Sequence, residues 1–369
     1  GTSPETNPPP NLVLSVFDLS QLPAVTRLGR ESLSISNYFA YGLQMVWPRT
    51  NILVLAGAAG GFYGLYYALD AAQPKTAVMP GYYYPWYGGQ DERFTAFDVS
   101  DDANPTYLSQ VVLNDTNRWG FSSVYSHESL LYVTHQESEF IPVPATGSLK
   151  PVTVINDTNG PIYGSWVYRY YLDVVDFTDP ANPITRKPVN VPGSLAGISH
   201  QGAVVYTAGY RWKPDGSTDW SLWLDALAYD GVEAHYVDSL ALSSGAHPIA
   251  MSGNDLLIGH ADATTNNLHT IETWILGDNA QFTKLGATTL KSPADSLVLF
   301  GNLLATHDYT GAYLLYDVTD PAKPKPLAAS DYNGCYWADL SKADGALDRG
   351  LWLPLGVYGV KVIPVATGP

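Results

Sequence analysis

Cysteine is almost missing from this chain: Cys335 is the only one in 369 residues. A single thiol excludes an intrachain disulfide and a cysteine-rich metal centre, and its expected role is that of a small buried apolar residue. Basic residues are scarce as well. Nineteen Lys and Arg stand against 35 Asp and Glu, a net charge of −16. Such a surface repels phosphate backbones and anionic lipid heads, so no nucleic acid and no membrane surface is expected as a partner. No apolar run reaches the roughly 18 residues of a membrane span, which excludes insertion by a helix. Catalytic signatures are missing too: there is no GxSxG elbow, P-loop, HExxH or Rossmann fingerprint.

What the chain has is apolar material and a repeat. Hydrophobic residues make up 46% and charged residues 15%, enough for a sizeable core and against disorder beyond the ends. The stretch Leu172 to Pro183, LDVVDFTDPANP, recurs as FTAFDVSDDANP (Phe94 to Pro105) and LLYDVTDPAKP (Leu314 to Pro324). A worn copy, LSVFDLSQLPA, lies at Leu14 to Ala24. Each copy reads as an apolar strand, a tight turn, and the entry to a second strand. The Asp and Thr side chains suit the turn's backbone donors, and Pro180 presets φ within it. Pro183 enters an outer strand, where a missing N–H faces solvent.

Between the copies stand strand pairs such as FSSVYSHESLLYVTH and SLVLFGNLLATH. A four-stranded unit repeated at wide spacing predicts an all-β chain folded as a β-propeller. Six inner hairpins predict six blades, and seven strands of the Asp-phrase type leave seven open. The last round lacks an outer strand, so the N-terminal strand around Ala24 to Arg30 is expected to complete the C-terminal blade and close the ring. Residues 1–11 read as a disordered or extended linker, and residues 12–369 as a single propeller domain. Long loop insertions are expected at 58–93 and 136–170. The polar, Pro-rich opening GTSPETNPPP suggests a secreted or surface-tethered protein whose targeting segment has been removed.

These phrases resemble the LVIVD-repeat propellers of bacterial secreted and surface proteins, whose blades read roughly LxVxDVSDPxNP. Three copies match clearly, the N-terminal one matches in part, and AYDGVEAHYVD and WILGDNAQF depart from the pattern. The resemblance implies the architecture and almost nothing about function. The Glu/Asn/Asp set of the calcium-dependent six-bladed lactonases is not evident.

The long loops all fall on one face, where binding resides in rigid scaffolds. The first insertion holds nine aromatics, with Tyr84, Trp86 and Tyr87 beside Pro85 most suited to exposure. Trp119 and Trp212 add to them from other loops. Aromatics between glycines suit a sugar-stacking or protein-binding surface, or else a satellite core under a long insertion. The expected function is therefore a non-catalytic extracellular or surface scaffold that engages a protein or glycan there. The alternative is a hydrolase- or lyase-like enzyme at the channel mouth, drawing on Asp91, Glu92, Arg93, His135, His307 and Asp308. His135, His260 and His307 each end the second strand of their blade. Second strands lie about 10 Å or more from the axis, too far apart to share a zinc whose nitrogens must lie at about 2.1 Å. HADATTNN and KPDGSTDW lack the DxDxDG spacing and read as turns. No metal or cofactor is expected, with a structural calcium left open.

Overall fold

In the computed structural model, the described residues are 12–18, 26–33, 44–59, 76–77, 91–114, 118–119, 121–122, 124–142, 153–157, 160–199, 202–212, 218–242, 246–252, 255–261, 268–294, 296–307, 312–330, 343–354 and 360–365. Every regular element among them is a strand. The N-terminal pair is β1 (Leu12–Asp18) and β2 (Thr26–Leu33). Blade 1 is β3 (Gln44–Arg49), β4 (Ile52–Ala59), β6 (Asp91–Asp98) and β7 (Thr106–Asn114), with β5 (Thr76–Ala77) leaving it for another blade.

Blade 2 is built on β9 (Tyr125–His127), β10 (Leu130–Pro142) and β12 (Gly160–Asp176), with β13 (Ile184–Thr185) and β14 (Val189–Val191) on its outer edge. The short strands β8 (Arg118–Trp119) and β11 (Thr153–Asp157) also join it. Blade 3 is β15 (Ser194–Ile198), β16 (Val204–Trp212), β17 (Thr218–Tyr229) and β18 (Ala234–Ala241). Blade 4 is β19 (Ala246–Ser252), β20 (Asp255–Ala261), β21 (Leu268–Leu276) and β22 (Phe282–Ala294). Blade 5 is β23 (Ser296–Phe300), β24 (Leu303–His307), β25 (Tyr313–Asp317) and β26 (Lys325–Ser330). Blade 6 is β27 (Asp344–Ala346), β28 (Gly350–Pro354) and β29 (Val360–Ile363).

The inner strands β3, β9, β15, β19, β23 and β27 follow one another in contact, so the six sheets form a ring: a six-bladed β-propeller. The alternation of each strand sends one set of side chains to each neighbouring blade. Val54, Phe94 and Ala96 of blade 1 pack on Leu131, Val133, Val175 and Phe177 of blade 2. Tyr132, Leu172 and Val174 pack on Val205 and Leu227 of blade 3, and Tyr206 and Leu224 on Leu256 and Ile258 of blade 4. The last cluster runs from Leu257 through Leu304 to Leu351 across blades 4 to 6.

The repeated phrase earns its residues at the turn. Asp176 Oδ1 accepts from the Thr178 N–H at 2.9 Å and from its hydroxyl at 2.6 Å, and Asp179 accepts from the Ala181 N–H at 3.1 Å. Asp98 and Asp101 serve blade 1 in the same way, and Asp317 and Asp320 serve blade 5.

Three expectations are revised by the structure. The first concerns closure: β2, which covers most of Ala24 to Arg30, pairs with β1 rather than with β29. Blade 6 is three-stranded among the described residues. The second concerns the insertion at 136–170, which is largely ladder rather than loop. β10 and β12 pair from Leu130↔Asp176 to Pro142↔Gly164. Thirteen residues in β10 against 5 in β24 leave eight extra, an arm of roughly 27 Å at about 3.4 Å per residue. Its composition, dense in Tyr, Trp and Val, favours strand. The third is the first insertion, which narrows from 58–93 to 60–90, and its β5 pairs with the inner strand β19 of blade 4.

Candidate functional site

Blades 2, 3 and 4 each carry a buried or half-buried acid on the third strand, on the face turned to the preceding blade, with a basic side chain set against it. In blade 2, Asp173 and His135 are both 0% exposed, and His135 Nδ1 bonds Asp173 Oδ2. The His135 ring stacks on Tyr171 at 5.4 Å between centroids, with Phe121 at 5.8 Å on its other neighbour side. Its Nε2 lies 3.3 Å from Glu137 Oε1. Both ring nitrogens are thus committed to carboxylates, and neither is left to act on a substrate.

In blade 3 the acid is Asp225, whose Oδ1 accepts from Arg211 Nη2 at 2.6 Å and from the Ser239 hydroxyl at 2.7 Å. Arg211 lies over the Trp223 ring at 3.9 Å. In blade 4, Glu272 meets His260 Nε2 at 3.1 Å, accepts from Trp274 Nε1 at 3.0 Å, and pairs with Lys284. His135 pairs across the ladder with Tyr171 and His260 with Thr270, and each acid lies two residues further along, on the same face. One register therefore serves both pairs. A buried acid paired in this way avoids the penalty of an isolated charge.

A second buried acid lies on the sheet that faces blade 2. Glu92 is 5% exposed and alternates with Phe94 and Ala96, which line the contact with blade 2. His135 alternates with Val133, and Asp173 with Val175, on the facing sheet. Glu92, His135 and Asp173 therefore border one interblade layer at the long-loop end. Burial pushes the Glu92 carboxyl up to about 8, so it is neutral at pH 7.

Of the sequence-nominated residues, Glu92 and His135 face the same interblade layer. Arg93 points the opposite way, since it alternates with Phe97, which packs toward Leu12 of the N-terminal pair. His307 belongs to blade 5, where it meets Tyr313 at 4.7 Å between centroids. Asp91 lies in β6, Trp119 in β8 and Trp212 in β16. Tyr84, Trp86, Tyr87, Asp308 and Cys335 fall outside the described residues. Among the described residues, no group of three or more His, Cys, Asp or Glu is placed to hold a metal ion. No helix among them is long and apolar enough to cross a membrane.

Sequence reasoning missed Asp173, Asp225 and Glu137. The available signal was an acid where another copy of the phrase has Thr95, in an otherwise apolar strand. It also missed aromatics at this end of blades 2 and 3: Tyr168 and Tyr210 are 45% and 48% exposed, and burial, with the Tyr210 phenol adding to it, raises the phenol of Tyr170.

No family model matches the sequence, and no curated protein matches it. Among solved structures, the chain is similar to a hypothetical selenium-binding protein from Sulfolobus tokodaii. The identity is 10% and the TM-score 0.47, covering 94% of this chain and 82% of that chain.

Proposed function

We propose that this propeller is a non-catalytic binding scaffold, secreted or surface-tethered, that engages a protein or glycan through its long-loop end. The prolonged blade 2 ladder carries this reading. It extends a paired two-stranded arm at that end, presenting Tyr168 beside Arg169 and Glu139, which pair with each other. Exposed, strand-borne aromatics are low-entropy contact groups. The sequence adds nine aromatics in the first insertion. The repeat phrase supports placing the chain with the LVIVD-repeat propellers, and that resemblance to secreted and surface proteins supports the location. The test replaces residues 138–168 by a two-residue Asn-Gly turn, which closes the ladder at the Glu137↔Arg169 pair and leaves the blade itself intact. Loss of cell-surface and glycan-array binding in a variant that melts as the parent does supports the scaffold; unchanged binding counts against it.

A second reading has one observation behind it. The Glu92 carboxyl, raised by burial to about 8 and so neutral at pH 7, has the poise of a general acid. Hydrolase or lyase activity on a panel of esters and glycosides, abolished by Glu92→Gln, would establish it.

A further inference from the structure

We propose that the interblade space above the core of blades 2 and 3 is a subsite for a neutral pyranose ring, lined by Tyr168 and Tyr170 on one side and by Thr207, Trp223 and Asp225 on the other. The inference rests on the scaffold reading and names its ligand class. Placement follows from alternation. Tyr170 and Tyr168 succeed Val174 and Leu172 on the face turned to blade 3. Thr207 pairs with Asp225 and Gly209 with Trp223, in the same alternation as Val205 and Leu227, which face blade 2. The two walls thus rise together from one apolar floor toward the long-loop end.

Two donors on this face lack partners. Thr207 is 0% exposed, and neither its Oγ1 nor the buried Nε1 of Trp223 has a hydrogen-bond partner among the described residues. Two such donors in one layer carry a desolvation penalty that an acceptor-rich ligand removes. Sugar hydroxyls supply those acceptors, and the C–H face of a pyranose suits the tyrosine rings. Charge selects against a uronate or sialylated ring: the chain is at −16, and the local cation, Arg211, is already held by Asp225. Entry requires Arg211, whose side chain is 44% exposed, to swing off the Trp223 ring that it covers. An arginine on a flexible stem at the mouth of the site suits that movement.

The test screens the intact protein on a printed array of neutral mono- and oligosaccharides, then titrates the strongest hit calorimetrically. Trp223→Phe keeps the ring and removes the N–H, and Thr207→Val keeps the shape and removes the hydroxyl. Each is expected to weaken affinity about three- to tenfold, the loss of one hydrogen bond, at a melting temperature no lower than the parent's. In the unaltered protein the Trp223 indole N–H resonance, assigned by its loss in Trp223→Phe, is expected to shift on saturation with the same sugar. Affinities within about twofold of the parent and an unmoved indole resonance overturn the proposal. So does the absence of any neutral saccharide hit, which leaves the scaffold reading to stand or fall on the arm replacement.

Discussion

Gly29 of the N-terminal pair lies directly against the turn of blade 1: a Cβ on it would stand 2.2 Å from the carbonyl oxygen of Asp102 and 2.7 Å from that of Ala103. Gly286 of blade 4 meets Ala322 of the blade 5 turn in the same way, at 2.4 Å. Nearby hydroxyls repeat the theme, Ser109 donating to Pro180 O and Thr273 to Pro321 O. At these three junctions one unit seats on the Asp-rich turn of the next. β2 does for blade 1 what β22 does for blade 5, so the N-terminal pair takes the place of the unit that precedes blade 1.

Gly29→Ala should therefore destabilise the whole propeller. The obstructing atoms are backbone carbonyls, which cannot rotate aside, and the expected loss is about 1–3 kcal/mol. Equilibrium urea unfolding measures it; a midpoint equal to the parent's would deny the N-terminal pair its place in the ring.

Asp176→Ala removes two hydrogen bonds from Thr178 and an ion pair with Arg186, at a cost on the order of 1–2 kcal/mol. Burial opposes ionisation of Asp176, but the bonds from Thr178 and Arg186 outweigh it and hold the carboxyl below its ordinary value. Its contribution is therefore present above the unfolded value near 3.8 and disappears as pH falls through the lower folded value. The stability gap between parent and variant should be full at pH 6 and shrink in acid. A gap constant with pH would contradict the assignment.

Glu92 works in the opposite direction. Its folded value near 8 lies above the ordinary 4.5, so between those limits the unfolded chain sheds a proton that the folded one keeps. Stability falls by about 1.4 kcal/mol per pH unit from this group across that window. Glu92→Gln should flatten the decline between pH 5 and 8 in thermal melts. Parallel melting curves for the two proteins would show that the carboxyl is not buried.

His135→Leu strands Asp173 in an apolar layer and should cost about 3–5 kcal/mol. Adding Asp173→Leu should recover most of that loss, because the uncompensated acid goes with it. Double-mutant unfolding decides the matter: additive losses would mean the pair is not coupled.

The architecture was legible because strand period, turn chemistry and wide repetition agreed at Asp98, Asp176 and Asp317. The arm of blade 2 was not. Sequence patterning placed a loop at 136–170 because the repeat unit ends near His135, and nothing local says that a ladder continues past its blade. The His135–Asp173 pair was half visible. His135 was singled out as a strand-end residue, whereas Asp173 read as part of the apolar phrase, since which face a strand residue takes depends on the neighbouring blade. Glu92 was noticed for its charge, but its altered acidity follows from packing against blade 2, which no spacing reveals.

The most direct measurement sets two surface doublets against each other in binding to intact cells and to a glycan array. Tyr168→Ala/Tyr210→Ala alters the long-loop end, and Ile184→Ser/Val232→Ser alters exposed apolar residues at the turns of blades 2 and 3. Binding lost in the first doublet and kept in the second is the predicted result. Binding lost only in the second, or kept in both, would contradict the placement of function on the long-loop end.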